Sequence, residues 1–144
     1  MLMPYSAVKD KKGFTLLEMM IVVALIAILS AVAVISIKSN MPQYYLSGAA
    51  RQVLTDLMLA RSKAVSNNTA TTVNFSSTGY SIGGVTTDIS SQFRGVTLST
   101  KSTTGIITFY SMGTTSGSDT ITLTSPGLTS KLVVVSAAGG VRIQ

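Results

Sequence analysis

Three patterns of apolar and polar residues follow one another along this chain of 144 residues. The first is an uncharged apolar run from Met19 to Ile37, interrupted only by Ser30 and Ser36. A helix rises about 1.5 Å per residue, so a helix over this run extends roughly 28 Å, close to the hydrocarbon thickness of a bilayer. The pattern predicts that residues 14–37 form a helix that crosses a membrane.

The second pattern is amphipathic and covers residues 38–67. Its apolar positions recur at spacings of three and four, with charged residues mostly on other faces: Leu46, Ala49, Ala50, Val53, Leu54, Leu57, Ala60 and Ala64. We expect the helix to continue through this region and to turn one face toward a sheet. Pro42 predicts a kink between the two halves, and Asn67-Asn68-Thr69 predicts the helix end.

The third pattern has a period of two and begins at Thr71, so residues 68–144 are predicted to form an antiparallel β domain. Turn-forming glycines, serines and prolines separate the short apolar segments. We expect strands around these positions: Val73 and Phe75, Tyr80 and Ile82, Val96 and Leu98, Ile107 and Phe109, Ile121 and Leu123, Leu132 to Val135, and Val141 with Ile143. The predicted fold class is therefore α+β, a long N-terminal helix packed on a C-terminal antiparallel β-sheet.

Composition narrows the chemistry that this chain can perform. It contains no cysteine and no histidine, which removes disulfides, thiol nucleophiles, imidazole bases and the usual zinc ligands. We therefore expect neither a metal nor a cofactor. The net charge is +6, and most of that excess is expected to lie on solvated faces.

Other catalytic arrangements are also missing from the sequence. Ser62 and Lys63 are adjacent, and neighbours one apart on a helix do not face each other. Asp56 is interpreted as a solvated helix position, while Asp88 and Asp119 each follow a serine or threonine in the manner of turn residues. The chain is predicted not to be an enzyme.

The residues before the apolar run determine how the run is interpreted. Lys9, Lys11 and Lys12 precede it, which favours a cytoplasmic N-terminal end. The run is compatible with a secretory signal cut near Ala31 to Ala33, with a plain membrane anchor, or with a segment that is cut before it. A secretory signal usually has an apolar core of about 7–15 residues, which is shorter than this run.

Glu18 distinguishes the two remaining interpretations. A charged side chain costs on the order of 2.5–3.5 kcal/mol at the centre of a membrane helix, so its presence requires a reason. A cut after Gly13 creates a free amine on Phe14, about one helical turn from Glu18. That amine, from the same chain or from a neighbouring copy, supplies the cation that the carboxylate needs in lipid. The sequence therefore favours cleavage before the run.

The residues around this position carry a family resemblance. They read Gly13-Phe14-Thr15-Leu16-Leu17-Glu18, followed by Met19-Met20-Ile21-Val22-Val23-Ala24. This stretch resembles the class III signal of type IV pilins and type II secretion pseudopilins. Many members of that family carry a proline about 22 residues into the mature chain, where this sequence has Ile35.

The resemblance implies that a prepilin peptidase removes residues 1–13 as a leader and that the Phe14 amine is then methylated. It implies a minor pilin or pseudopilin, anchored by a single pass in the bacterial inner membrane with its C-terminal domain in the periplasm. It further implies assembly into a type IV pilus or a type II secretion filament. The partners would be other pilins or pseudopilins and the inner-membrane assembly platform, and Glu18 would act in assembly.

The second half of the chain is similar to the GspH/FimT branch of that family. The similarity lies in Ala60-Arg61-Ser62-Lys63-Ala64, Asn67-Asn68 and Gly140-Val141-Arg142-Ile143. Some members of the branch take part in DNA uptake through a C-terminal Gly-Arg-x-Arg pattern. The matching stretch here is Gly139-Gly140-Val141-Arg142, in which a glycine replaces the first of the two arginines. An alternative function is therefore DNA binding, with Arg142 and Lys131 as the contacts, although one or two cations bind phosphates weakly.

Overall fold

The computed structural model describes residues 13–144, except for the side chains of residues 32–37 and Ser39. The leader predicted for residues 1–13 therefore lies outside the described residues, apart from Gly13. The chain divides into two compact units between Ser39 and Asn40.

One long helix precedes a set of short strands. Helix α1 covers Leu16–Ser66 and continues through Pro42, which can donate no backbone hydrogen bond within it. The later elements are β1 Thr71–Phe75, β2 Gly79–Ile82, β3 Val85–Asp88, α2 Ile89–Gln92, β4 Thr97–Thr100, β5 Ile106–Phe109, β6 Asp119–Thr124, β7 Lys131–Val135 and β8 Val141–Ile143.

Helix α1 ends where the sequence predicted, at Asn67-Asn68-Thr69. Asn68 adopts a left-handed conformation with φ of 51°, which asparagine tolerates better than most residues. Its N–H donates to the carbonyl of Val65, and the Thr69 N–H donates to the carbonyl of Ala64. These two bonds form a Schellman motif, which satisfies carbonyls at the end of the helix.

The strands form two antiparallel sheets in the described part of the chain. The first has the order β3-β2-β1-β5 and the second the order β4-β6-β7-β8. The register of the first sheet sets Val73 opposite both Ile82 and Ile107. The predicted α+β class with antiparallel pairing is confirmed, but two sheets take the place of the single sheet that was expected.

Strand β3 and the short helix α2 were missed by the sequence prediction. Gly83 and Gly84 have φ values of 56° and 88° and form the two-residue turn of a β2–β3 hairpin. Threonines occupy the middle of β3, so it has no apolar alternation to reveal it. Asp88 then caps α2 by accepting a hydrogen bond from the Ser91 N–H.

The core lies between one face of α1 and both sheets. The helix contributes seven buried side chains, which include four alanines: Leu46, Ala49, Ala50, Val53, Leu57, Ala60 and Ala64. The sheets contribute the larger residues of the same cluster, among them Phe109, Ile121 and Leu123. The predicted amphipathic face is thus the face that packs; the remaining predicted position, Leu54, is half-buried.

The two sheets are joined by the segment around Thr115. The Thr115 N–H donates to the carbonyl of Ala137, and its hydroxyl donates to the carbonyl of Ser136 at 2.9 Å. The next residue, Ser116, donates its N–H to the carbonyl of Thr108 in β5. Thr115 therefore links an edge of the first sheet to the β7–β8 turn of the second.

A buried polar pair connects α1 to the first sheet. The hydroxyl of Tyr80, which is only 3% exposed, donates a hydrogen bond to the carboxylate of Asp56. The interpretation of Asp56 as a solvated position was wrong, because this carboxylate is half-buried and faces β2. Burial, together with the neighbouring Asp56, raises the pKa of Tyr80 far above its ordinary value of 10.0.

This pair makes the stability of the fold sensitive to alkaline pH. Above about pH 10 the tyrosine ionises in the unfolded chain but stays neutral in the folded chain, so the free energy of unfolding decreases as pH rises. The decrease contributed by Tyr80 approaches about 1.4 kcal/mol per pH unit. Denaturant titrations between pH 8 and 11 should show a smaller decrease in Tyr80→Phe than in the parent chain. Tyr110→Phe is the control, because Tyr110 is 46% exposed, and it should show the same decrease as the parent chain. Identical profiles for all three chains would contradict the assignment of the decrease to Tyr80.

Candidate functional site

Gly13 is the first residue that the structure describes, and the described part of the fold does not require a glycine there. A methyl group added to Gly13 would meet no atom of the described residues within 4 Å, and the φ of Gly13 is not positive. The next residue, Phe14, has a side chain 79% exposed. Neither packing nor backbone conformation therefore explains why these two residues stand here.

Thr15 caps the start of α1. Its hydroxyl accepts a hydrogen bond from the Glu18 N–H at 3.2 Å, and its carbonyl accepts one from the Met19 N–H. Thr15 and Glu18 thus occupy the first and last positions of the Thr-x-x-Glu pattern that marks helix starts. The sequence prediction missed this role of Thr15, although the spacing was there to indicate it.

Glu18 lies in the first turn of α1 with its side chain exposed. A carboxylate at this end of a helix is stabilised by the exposed backbone N–H groups and by the helix dipole. Within residues 13–144 no lysine or arginine pairs with it. The structure therefore holds this acid at the helix start and leaves its charge open to a cation from elsewhere.

The residues after Glu18 are apolar on every face of the helix. Their large side chains are between 43% and 70% exposed: Met19, Met20, Ile21, Val22, Val23, Leu25, Ile26, Ile28 and Leu29. A helix that is apolar all round requires an apolar environment.

Within the part of the chain that the structure describes, no helix has the length and apolar character needed to cross a membrane.

The structure separates the two basic residues considered for DNA binding. Lys131 pairs in register with Leu123, which is fully buried, so Lys131 lies on the core face of the second sheet. Arg142 pairs with Val134, whose neighbours in β7 are the buried residues, so Arg142 lies on the opposite face. The register does not bring the two cations into one phosphate-binding patch.

The aspartates of the β domain are used by the fold. Asp119 is 5% exposed, and its Oδ1 accepts from the N–H groups of Ser102 and Thr120. Hydrogen bonds from the Ser90 hydroxyl and the Ser91 N–H lower the pKa of Asp88. Asp119 was expected in a turn but lies at the start of β6, where it anchors the loop before β5.

The described residues contain no group of three or more acidic, histidine or cysteine side chains able to hold a metal ion. Asp56 on α1 and Asp88 and Asp119 in the β domain each bond a different neighbour.

Comparison with known proteins identifies this architecture. The family model for the prokaryotic N-terminal methylation motif matches residues 8–34, and the model for type II transport protein GspH matches residues 49–139. No curated protein sequence matches this chain significantly.

Two crystal structures of the type IV minor pilin FimU from Pseudomonas aeruginosa PAO1 have similar folds. The first shares 24% identity with a TM-score of 0.58, over 69% of this chain and 92% of FimU. The second shares 25% identity with a TM-score of 0.60, over 71% of this chain and 90% of FimU.

The chain has a capped helix that starts in a methylation motif, and an antiparallel β domain follows this helix. This combination defines the class of type IV pilin-like filament subunits. The chain belongs to the GspH family within that class, as a minor pilin or pseudopilin. The predicted resemblance to the GspH/FimT branch is confirmed. The family suggests a structural subunit, and nothing in these comparisons indicates DNA binding.

The Thr15 cap predicts a local effect of losing one hydroxyl. Thr15→Val should weaken the first turn of α1 by about 1 kcal/mol, because the Glu18 N–H loses its acceptor. Hydrogen exchange on the full chain in detergent micelles should then be roughly fivefold faster at the Glu18 and Met19 amides, which both bond Thr15; this is the factor that corresponds to about 1 kcal/mol. Thr15→Ser should retain slow exchange, and the Val53 amide is the internal reference. Equal exchange in the two variants would show that the cap is unimportant.

Proposed function

We propose that this subunit is cut between Gly13 and Phe14, held in the inner membrane by residues 14–37, and built into its filament through Glu18. The observation that supports this proposal most strongly is the position of Glu18 and its lack of a paired cation among the described residues. Its carboxylate is fixed in the first helical turn without a cation among the described residues, and the helix that follows exposes apolar side chains on all sides.

The proposed cut supplies the cation that Glu18 lacks. Hydrolysis of the Gly13–Phe14 peptide bond releases a leader carboxylate and leaves an ammonium group on Phe14. The start of a helix disfavours a positive charge, so an isolated ammonium group there is destabilised. A carboxylate four residues later offsets that effect. Methylation of the amine retains the charge, as it does for lysine, and adds apolar surface.

During assembly, Glu18 exchanges the Phe14 amine of its own chain for that of a neighbouring subunit. In a filament core the apolar helices pack against one another, and an unpaired charge in that environment costs several kcal/mol. The Phe14 amine of a neighbouring subunit can satisfy Glu18 only when the two helices are axially aligned. Glu18 would thereby set the axial position of each added subunit, while the apolar residues around it supply most of the contact area.

Gly13 is explained by processing, because the fold gives it no role. A peptidase that binds an extended backbone near the scissile bond can exclude every residue with a Cβ atom. The open surroundings of Gly13 support this interpretation, since a larger residue there would be accommodated by the described structure. The same openness makes Gly13 a clean position for a processing test.

Replacing Gly13 should block processing without affecting the fold. Gly13→Leu, expressed with its prepilin peptidase, should retain residues 1–13, whereas the parent chain should begin at methylated Phe14. Intact mass and N-terminal sequencing of the membrane fraction distinguish these products. Gly117→Leu is the matched control, because the surroundings of Gly117 are equally open. A parent chain that begins at Val34, or that keeps its leader, would refute the proposed cut.

Replacing Glu18 should impair assembly and leave membrane insertion intact. Glu18→Gln keeps the size of the side chain but removes its charge, so we expect at least a tenfold loss of subunit from sheared filaments, equivalent to about 1.4 kcal/mol. The amount in the membrane fraction should be unchanged. Glu18→Asp retains the charge and is expected to assemble better than Glu18→Gln. Undiminished incorporation of Glu18→Gln would remove the role given to this carboxylate.

A further inference from the structure

An open groove lies beside the last turns of α1, away from the N-terminal site. Its volume is about 610 Å³, and its main lining residues are Met58, Arg61, Val65, Met112, Gly113 and Gly139. One wall is therefore the helix, and the other walls are the turn after β5 and the β7–β8 turn. No role in processing or in the helix-mediated assembly described above involves these residues.

The floor of the groove is made by two glycines at positions that disfavour a side chain. Gly113 and Gly139 have φ values of 78° and 80°, which disfavour other residues. A Cβ atom on Gly139 would overlap the carbonyl of Gly113, and one on Gly113 would lie 3.2 Å from Nε of Arg61. The base of the groove is therefore closely packed.

Arg61 is held in one orientation over this floor. Its Nε donates a hydrogen bond to the carbonyl of Gly113 at 2.9 Å, across 52 residues of sequence. A guanidinium group has five N–H donors, so the two terminal nitrogens still carry four. No carboxylate pairs with them among residues 13–144, and the side chain is exposed. A fixed guanidinium group of this kind is suited to receive a carboxylate with two parallel hydrogen bonds.

The walls around Arg61 are apolar and exposed to solvent. Met112 is 81% exposed, Val65 is 50% exposed and Met58 is 49% exposed. Clustered exposed apolar side chains commonly mark a protein interaction surface, and methionine adapts its shape to bulky partners. Together with the cation, they define a site for an apolar side chain that stands next to an acid.

A second copy of this chain has few acids to offer. The chain contains five acidic residues. In the β domain and the helix that packs on it, Asp56 bonds Tyr80, Asp88 caps α2, and Asp119 is buried. Of the exposed acids that the structure describes, Glu18 belongs to the N-terminal assembly site, and Asp88 already accepts hydrogen bonds from Ser90 and Ser91. Removal of residues 1–13 takes away three lysines and one aspartate, so the net charge falls from +6 to +4. The processed chain is still basic, and charge complementarity therefore favours a partner of different sequence and acidic character.

We propose that this groove, lined by Met58, Arg61, Val65 and Met112 over Gly113 and Gly139, docks an acidic apolar segment of a different protein. A carboxylate of that segment binds the terminal nitrogens of Arg61, and an adjacent bulky apolar side chain packs between Met58 and Met112. One part of this proposal rests on the proposed function, namely the source of the segment. That source is a neighbouring filament subunit of another sequence.

Introducing a charge at Met112 provides the sharpest test, because this side chain is exposed enough to be replaced without disturbing the core. A photo-crosslinking amino acid is placed at Met58 in the full chain, in cells that carry its filament system. We expect crosslinking to one protein other than this chain, mapped to a peptide that contains Asp or Glu. Met112→Glu should reduce the yield at least tenfold, because repulsion of the partner's carboxylate adds to the lost packing. Met112→Lys loses the same packing but attracts that carboxylate, so its yield should fall much less.

The controls separate docking from folding and from assembly. The same crosslinker at Val85, which is 70% exposed on the β2–β3 hairpin, gives the background. Arg61→Glu should abolish the crosslink, and replacing the mapped acid of the partner with arginine should restore it. Thermal unfolding of each variant verifies that the fold is retained.

Three results would overturn the proposal: crosslinking to a second copy of this chain, equal loss in Met112→Glu and Met112→Lys, or a yield no higher than at Val85. Each of these, when found with a mature Phe14 N-terminus and normal filament incorporation, rejects the docking site and leaves the proposed function standing. A chain that is neither cut at Gly13 nor incorporated rejects the proposed function itself.

Discussion

The packing of one helix face against two sheets is the constraint on which the rest of this structure depends. Four of the seven buried helix residues are alanines, so the helix backbone can lie close to the sheets, and the sheets supply the bulky side chains. Polar contacts on either side of that face then fix the position of the helix. Asp56 bonds Tyr80 in the first sheet, and Arg61 bonds the turn that follows β5. Each of these two residues is separated from its partner by a long stretch of sequence.

Local pattern was enough to predict the helix and most of the strands, because burial on one face produces a readable period. It failed where the signal was not local. The division of the strands into two sheets depends on which strands pair, and β1 pairs with β5 across about thirty residues of chain. Strand β3 was missed because a hairpin with a Gly-Gly turn and threonines has no apolar alternation. Asp56 was misjudged because its partner, Tyr80, lies 24 residues away and leaves no local signal.

The functional residues divide in a similar way. Gly13, Phe14 and Glu18 were singled out from the sequence because they form a contiguous local motif, which can be recognised without the fold. The structure supplied what the pattern could not, namely that none of the described residues packs against Gly13 and that Thr15 caps the helix. It also separated Arg142 from Lys131, because only the register of β6, β7 and β8 shows which face each residue occupies. Arg61 became visible as part of a site only once Gly113 and Gly139 were seen beneath it.

The order of the elements has a consequence for how the protein is made. Ala49, Ala50 and Val53 are synthesised early, yet the strand residues that cover the same core extend to Val133 and Val135, more than eighty residues later. The helix face of a growing chain therefore lacks part of its cover until almost all of the chain has been synthesised. Core formation in this topology is a late event, and the interval before it is when the chain is most exposed to aggregation or to capture by a chaperone.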